Sequence, residues 1–161
     1  MKYILLYTTL FIGALVNSQE LKTVFRNDLQ KWSFENHQFS TIFSNDLSKW
    51  ECEGHSIRTG FINDWDNWRF NGDITIKTTF HDSFDNWTIT GYGRTIYAKT
   101  LFQGNLNKWI LSGDSEGTLE TQFRNDFENW DIHISNTHLP DELKLSIVFI
   151  SIFTSIHEKY Q

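Results

Sequence analysis

Six histidines, one cysteine and a scatter of acids are the first residues in this 161-residue chain to weigh for chemistry. His37, His55, His81, His133, His138 and His157 show neither an H-E-x-x-H pattern nor the paired spacing of a metal site. Cys52-Glu53-Gly54-His55 offers a thiolate and an imidazole, but Cys52 occupies a position where equivalent segments place Phe, Ile or Leu, so a small buried hydrophobe is expected there. Asp66, Asp85 and Glu128 fall in loops beside Asn or Lys and read as solvated turn residues, not as a general acid and base. Gly91-Tyr92-Gly93 reads as a turn without a phosphate loop, and Asn86-Trp87-Thr88 as an incidental sequon around an inward tryptophan. Recurrent Asn-Asp pairs suggest calcium loops only superficially, since one Asp per loop falls far short of the roughly six to eight oxygens calcium takes. No catalytic residue, cofactor or metal is assigned.

The elements that must position these groups emerge from a search for internal repeats. Trp32, Trp50, Trp68, Trp87, Trp109 and Trp130 recur along the chain, each preceded seven positions earlier by Phe25, Phe43, Phe61, Phe80, Phe102 or Phe123. Two positions before each phenylalanine stands Thr23, Thr41, Thr59, Thr78, Thr100 or Thr121. Between Phe and Trp runs a loop close to N-D-[LWF]-x-[KN], whose apolar position holds Leu29, Leu47, Trp65, Phe84, Leu106 or Phe127. Asn and Asp bond their own backbone in such turns and tolerate unusual dihedrals.

Around these anchors apolar residues alternate with a period of two, the mark of a strand with one buried face. Leu21, Phe39, Ile57, Ile76, Ala98 and Leu119 lie four before the phenylalanines, and Phe34, Cys52, Phe70, Ile89, Leu111 and Ile132 two after the tryptophans. The pattern puts the phenylalanines, threonines and tryptophans on one buried face as structural anchors. Gly54, Gly72, Gly91 and Gly113 then mark turns into the next strand. The predicted fold class is all-β with one C-terminal helix: about twelve antiparallel strands in six hairpins, closed around that helix, with an open solenoid or meander as the alternative.

Closure is expected because twelve strands in a flat sheet would leave an exposed edge and an apolar face. Leu139-Pro140-Asp141-Glu142 suits a helix start, and residues 143–156 are apolar on nearly every side. A helix of that kind is buried in protein or lipid. Its uncharged stretch is too short to cross a bilayer, which places it inside the β structure.

Residues 1–18 read as a signal peptide: Lys2, an apolar run over 4–16, then Val16-Asn17-Ser18 before the expected mature start at Gln19. Residues 19–135 form the six-repeat β domain, and 136–161 its buried helix. Export is therefore expected, to periplasm, cell surface or medium, with no transmembrane span after signal removal. The whole chain carries a net charge of −6; without residues 1–18 it has 13 basic and 20 acidic residues, a net of −7. That balance opposes nucleic acid or an anionic membrane as partner. With Cys52 alone, no internal disulfide forms, and a monomer held together by packing is expected.

Six hairpins followed by one apolar helix resemble the tubby C-terminal-like fold of tubby, phospholipid scramblase and LURP-one-related proteins. The likeness is closest where Trp130-Asp131-Ile132-His133-Ile134 leads through Asp141, Leu143 and Leu145 into Ile147-Val148-Phe149-Ile150. It implies a twelve-strand barrel enclosing the helix, and no basic lipid-head-group site of that family carries over. Phe43-Ser44-Asn45-Asp46-Leu47-Ser48-Lys49-Trp50 is also similar to the F-N-x-D-[LI]-S-x-W signature of bacterial surface proteins with leucine-rich-like repeats, which implies an open solenoid. The expected function is a non-enzymatic exported binding or scaffold module meeting its partner at the loop tips or a barrel mouth. The alternative is a lipid-active protein or hydrolase.

Overall fold

The computed structural model describes residues 18–61 and 64–160; the signal-peptide assignment falls almost wholly on residues outside that set. Twelve strands follow one another: β1 (Gln19–Thr23), β2 (Lys31–Phe34), β3 (His37–Thr41), β4 (Lys49–Cys52), β5 (His55–Thr59), β6 (Asn67–Phe70), β7 (Ile74–Phe80), β8 (Ser83–Gly91), β9 (Arg94–Phe102), β10 (Asn105–Gly113), β11 (Gly117–Thr121) and β12 (Asn129–Ile134). A helix, α1 (Asp141–Tyr160), completes the chain.

Every strand pairs antiparallel with its sequence neighbours, and β1 pairs with β12 through Leu21 opposite Trp130, so the sheet is a closed barrel. Closure removes the free edges that an open solenoid would keep. Alternation sorts the side chains. Leu21, Trp32, Phe39, Trp50, Ile57, Trp68 and their counterparts are buried, while Lys22, Lys31, Gln38, Lys49, Glu51, Arg58, Arg69 and Lys77 face outward. The wall is thus apolar inside and polar outside, the reverse of a barrel whose outer face meets lipid.

The barrel interior is filled by α1. Pro140 supplies the carbonyl that opens its ladder, accepting from Leu143 and Lys144, and Asp141 and Glu142 complement the positive helix start. All residues from Leu145 to Ile156, together with Leu143, are buried. Phe149 meets Trp50 and Trp68 edge-on, and Phe153 does the same with Trp68 and Trp87. Burying each such ring is worth about 1.5–3 kcal/mol before chain entropy is set against it. Three of the helical hydroxyls are paired within the helix: Ser146, Thr154 and Ser155 each donate to the carbonyl four residues back. No described helix is long and apolar enough to cross a membrane.

One expectation fails. The six tryptophans are at most 1% exposed, but Phe25, Phe43, Phe61, Phe80, Phe102 and Phe123 are 57–74% exposed. The period of two runs correctly to the threonines and stops there, because four of the strands end at the threonine, a register shift comes before Phe80 and Phe102 in the other two, and the mouth is already filled from within. Leu29 and Leu106 are buried and Leu47, Trp65, Phe84 and Phe127 pack against the core, leaving the phenylalanines no place inside.

Candidate functional site

Hairpin connectivity puts all six Phe-bearing loops at one end of the barrel, since each joins an odd-numbered strand to the next even one. The tight turns lie at the other end: Glu53-Gly54 and Tyr92-Gly93 have positive φ at both positions, as two-residue type I′ hairpin turns require, and Asn71-Gly72 does so within the three-residue connection from Phe70 to Ile74. The rim bearing the phenylalanines is the candidate site.

Its loops are built alike. In four of them the Phe carbonyl accepts from the backbone N–H three residues on, as in Phe25 with Asp28 and Phe123 with Asp126. The second residue after the Phe is left-handed, which explains its identity: Asn27, Asn45 and Asn125 have φ of 63°, 65° and 62°, Asp82 has 56°, and Gly104 has 73°. Asn, Asp and Gly are the residues that tolerate this region. The next side chain closes an Asx turn, Asp28 accepting from Gln30 N–H at 2.9 Å, Asp46 from Ser48, Asn105 from Asn107, and Asp126 from Glu128. The inward apolar residue then presents its carbonyl to the tryptophan. Trp32, Trp50, Trp68, Trp87 and Trp109 donate their indole N–H to Leu29, Leu47, Trp65, Phe84 and Leu106 at 2.8–3.1 Å. Trp130 departs from the rule and donates to Ser155 Oγ of α1 at 3.0 Å.

Adjacent loops are bonded to one another through the residue two before each tryptophan. Gln30 accepts from the backbone N–H of Asn45, Asp66 from Asp82, Asp85 from Gly104, Asn107 from Asn125, and Glu128 from Asn27. Ser48 holds the equivalent position in the second loop, and the residue of the third loop that corresponds to Asn45 lies outside the described residues. This corrects the expectation for Asp66, Asp85 and Glu128: they are half-buried acceptors that lock neighbouring loops together, not free solvated turn residues. A signal for this was present in the sequence, because Gln30, Ser48, Asp66, Asp85, Asn107 and Glu128 all carry a side-chain acceptor. At the centre of the rim, Lys159 near the end of α1 donates to Asn27 O at 2.7 Å, tying the helix to the first loop.

Within this ring the fourth loop is exceptional. His81 and Asp82 meet Asp66 of the third, with donor atoms of all three within 4.8 Å. His81 Nδ1 bonds Asp66, and Nε2 lies 3.6 Å from Asp82. The hydrogen bond to Asp66, helped by the charges of Asp82 and Asp66, holds the imidazole above its ordinary pKa. The two ring nitrogens face different carboxylates, so the trio forms a clamp that favours the protonated imidazole. A cleft of about 330 Å³ beside it is lined by Phe61, Asp64, Trp65 and Phe84 as well as the trio. A second cleft of about 430 Å³, floored by Leu47, Trp65, Phe84, Phe153 and Ile156, opens where the helix leaves the barrel.

The other candidates stay apart. Cys52 is buried on β4, where burial and then the Glu53 charge push its thiol up to about 12. His55 lies at the opposite end, with Nδ1 2.6 Å from Asn71 Nδ2. Asn86 is half-buried beside the buried Trp87. Comparison with known proteins gives no matching family model, no matching curated protein and no matching solved structure.

Proposed function

We propose that the protein is an exported, non-enzymatic binding or scaffold module on a tubby-like barrel, and that its partner meets the phenylalanine rim. The observation that carries this reading is the exposure of six phenylalanines on one end of a barrel whose interior the helix already occupies. Single exposed apolar residues are ordinary, whereas a set of large ones gathered on one surface marks an interaction site. Val24, Ile42 and Leu101, also exposed and each next to one of the phenylalanines, extend the apolar surface. The inter-loop bonds hold the tips in place before any partner arrives, which lowers the ordering cost of binding.

The test is site-specific photo-crosslinking in cells that make the protein. A benzophenone side chain at Phe61 or Phe102 is expected to give partner adducts, and the same probe at Tyr97 or Arg58 on the outer wall is not. Adducts from the wall alone, or from neither surface, contradict the reading.

The acidic cleft around His81 supports a hydrolase as the second reading, because acids and an imidazole with a displaced pKa share one concavity. The same displacement favours the protonated form of the imidazole and so weakens it as a base. Hydrolysis of a simple ester that disappears in His81→Ala would establish this second reading.

A further inference from the structure

We infer that the cleft where α1 leaves the barrel binds a small free solute bearing a quaternary ammonium group. This site stands apart from the rim partner, and a rim that yields no partner adduct leaves it in place.

Positions alike in every repeat build the scaffold, so departures that gather in one place point to a task of their own. Repeats three and four depart together. The inward position that holds Leu29, Leu47 and Leu106 in repeats one, two and five carries Trp65 and Phe84 here. Lys31, Lys49 and Lys108, each directly before the repeat tryptophan in those three copies, give way to Asn67 and Asn86. The segments from Phe61 to Trp68 and from Phe80 to Trp87 hold Asp64, Asp66, Asp82 and Asp85 and no lysine or arginine, whereas each of the other four segments keeps at least one. Repeat six shares the aromatic and the asparagine, as Phe127 and Asn129, but retains Arg124.

These departures converge on one concavity. The cleft of about 430 Å³ is lined by four aromatic side chains, Trp65, Phe84, Phe153 and Tyr160, and the carboxylate among its lining is Asp82. Its size falls in the range of small-molecule sites. Trp65 and Phe84 are half-buried and both lie against Phe153, at 6.4 and 5.2 Å between ring centroids with planes inclined by 39° and 50°. The rings meet at angles and do not seal the cleft by stacking. Aromatic faces attract a cation through their quadrupole, and such cages are the recurrent way of holding quaternary ammonium groups. The methyl groups of that head pack on apolar walls and ask for no hydrogen-bond acceptor, which a primary amine or a metal ion would need.

The surrounding charge agrees. His81 is the one cationic candidate in the two segments and is engaged by Asp66 and Asp82, so four carboxylates outnumber it even when it is protonated. Lys49 pairs with Asp46 at 3.6 Å, and Lys159 donates to Asn27 O in the first loop, which lies opposite the fourth across the ring. Burial favours the neutral form of His157.

Calorimetric titration of the purified protein with choline is the test, and wild type should bind with a Kd of about 1 mM or below. Dimethylbutanol, the neutral carbon isostere, should bind at least about tenfold more weakly. Trp65→Leu installs the residue of three other repeats and should weaken choline about tenfold, and Asp82→Asn about threefold. Phe127→Leu makes the comparable change in repeat six, opposite repeat three, and should leave binding unchanged. Phosphocholine should bind more weakly than choline, because its phosphate meets the same carboxylates. No binding of choline up to about 10 mM, equal affinity for the isostere, or tighter binding of phosphocholine overturns the inference. Should Trp65→Leu fail to fold, Asp82→Asn and Tyr160→Ala, both at exposed positions, decide: unchanged affinity in both overturns it.

Discussion

Glu128 accepts a hydrogen bond from the backbone N–H of Asn27 at 3.0 Å, joining the last loop to the first across 101 positions of sequence. The carbonyl of the same residue takes the N–H of Thr23 at 3.0 Å. One residue therefore latches the barrel seam twice, by backbone and by side chain. Glu128→Ala removes the side-chain acceptor and should lower unfolding stability by about 1–2 kcal/mol, whereas Glu128→Gln keeps an acceptor and should stay within about 0.5 kcal/mol of wild type. Urea unfolding of the two variants distinguishes them.

Trp130 is the one repeat tryptophan that bonds the helix, through Ser155 Oγ, and so fixes the depth of α1 in the barrel. Ser155→Ala leaves a buried indole N–H without a partner and should cost about 1–3 kcal/mol. Ser151, equally buried, has a hydroxyl with no hydrogen-bond donor or acceptor opposite it. Ser151→Ala should therefore be neutral or slightly stabilising. Thermal melts of the pair of variants report the contrast; equal losses would show that packing volume, not the indole bond, sets the cost.

Cys52 points into the core from β4 between Phe39 and His55 of the flanking strands. With its thiol pushed up to about 12 and no surface exposed, it should resist alkylation by iodoacetamide at pH 8 in the native protein and react promptly in guanidinium. Modification of the folded chain on a timescale of minutes would contradict its placement.

His81 gains its main stabilising partner, Asp66, only in the folded protein, which raises its pKa above the ordinary imidazole value. The sign follows from linkage: the contribution is complete below the unfolded value of about 6.5 and fades as pH rises through the folded midpoint. An NMR titration should place the His81 midpoint above the ordinary imidazole value, and Asp66→Asn should bring it down toward that value. An unchanged midpoint in Asp66→Asn would remove the clamp.

Much of the architecture was legible in the residues. The repeat of tryptophans at strand spacing gave the number of hairpins, and the run from Leu143 to Ile156, apolar all round, gave the buried helix. Barrel closure followed from edges that must be covered, and β1 does pair with β12. The phenylalanines were misplaced for a definable reason: a period of two describes extended chain, and Phe25 or Phe123 stands where extension ends and the turn begins. Hydrophobicity alone does not tell a residue capping a core from one displayed above it. The inter-loop bonds were hidden differently, because Glu128 and Asn27 are distant in sequence and meet only once the ring has closed. Their trace was chemical, an acceptor at the same position of every copy.

The claim on which the account turns is that the phenylalanines belong to a displayed surface and the tryptophans to the core. Replacing Phe43, Phe61, Phe80 and Phe102 together by serine, and Trp68 alone by alanine, puts that directly to a melt followed by circular dichroism. The fourfold serine variant should unfold cooperatively within a few degrees of wild type, since exposed substitutions each shift stability by about 0.5 kcal/mol or less. The single Trp68→Ala should lose about 3–5 kcal/mol. A fourfold variant that is unfolded or melts far below Trp68→Ala would show that the phenylalanines hold the barrel together, and would contradict the account.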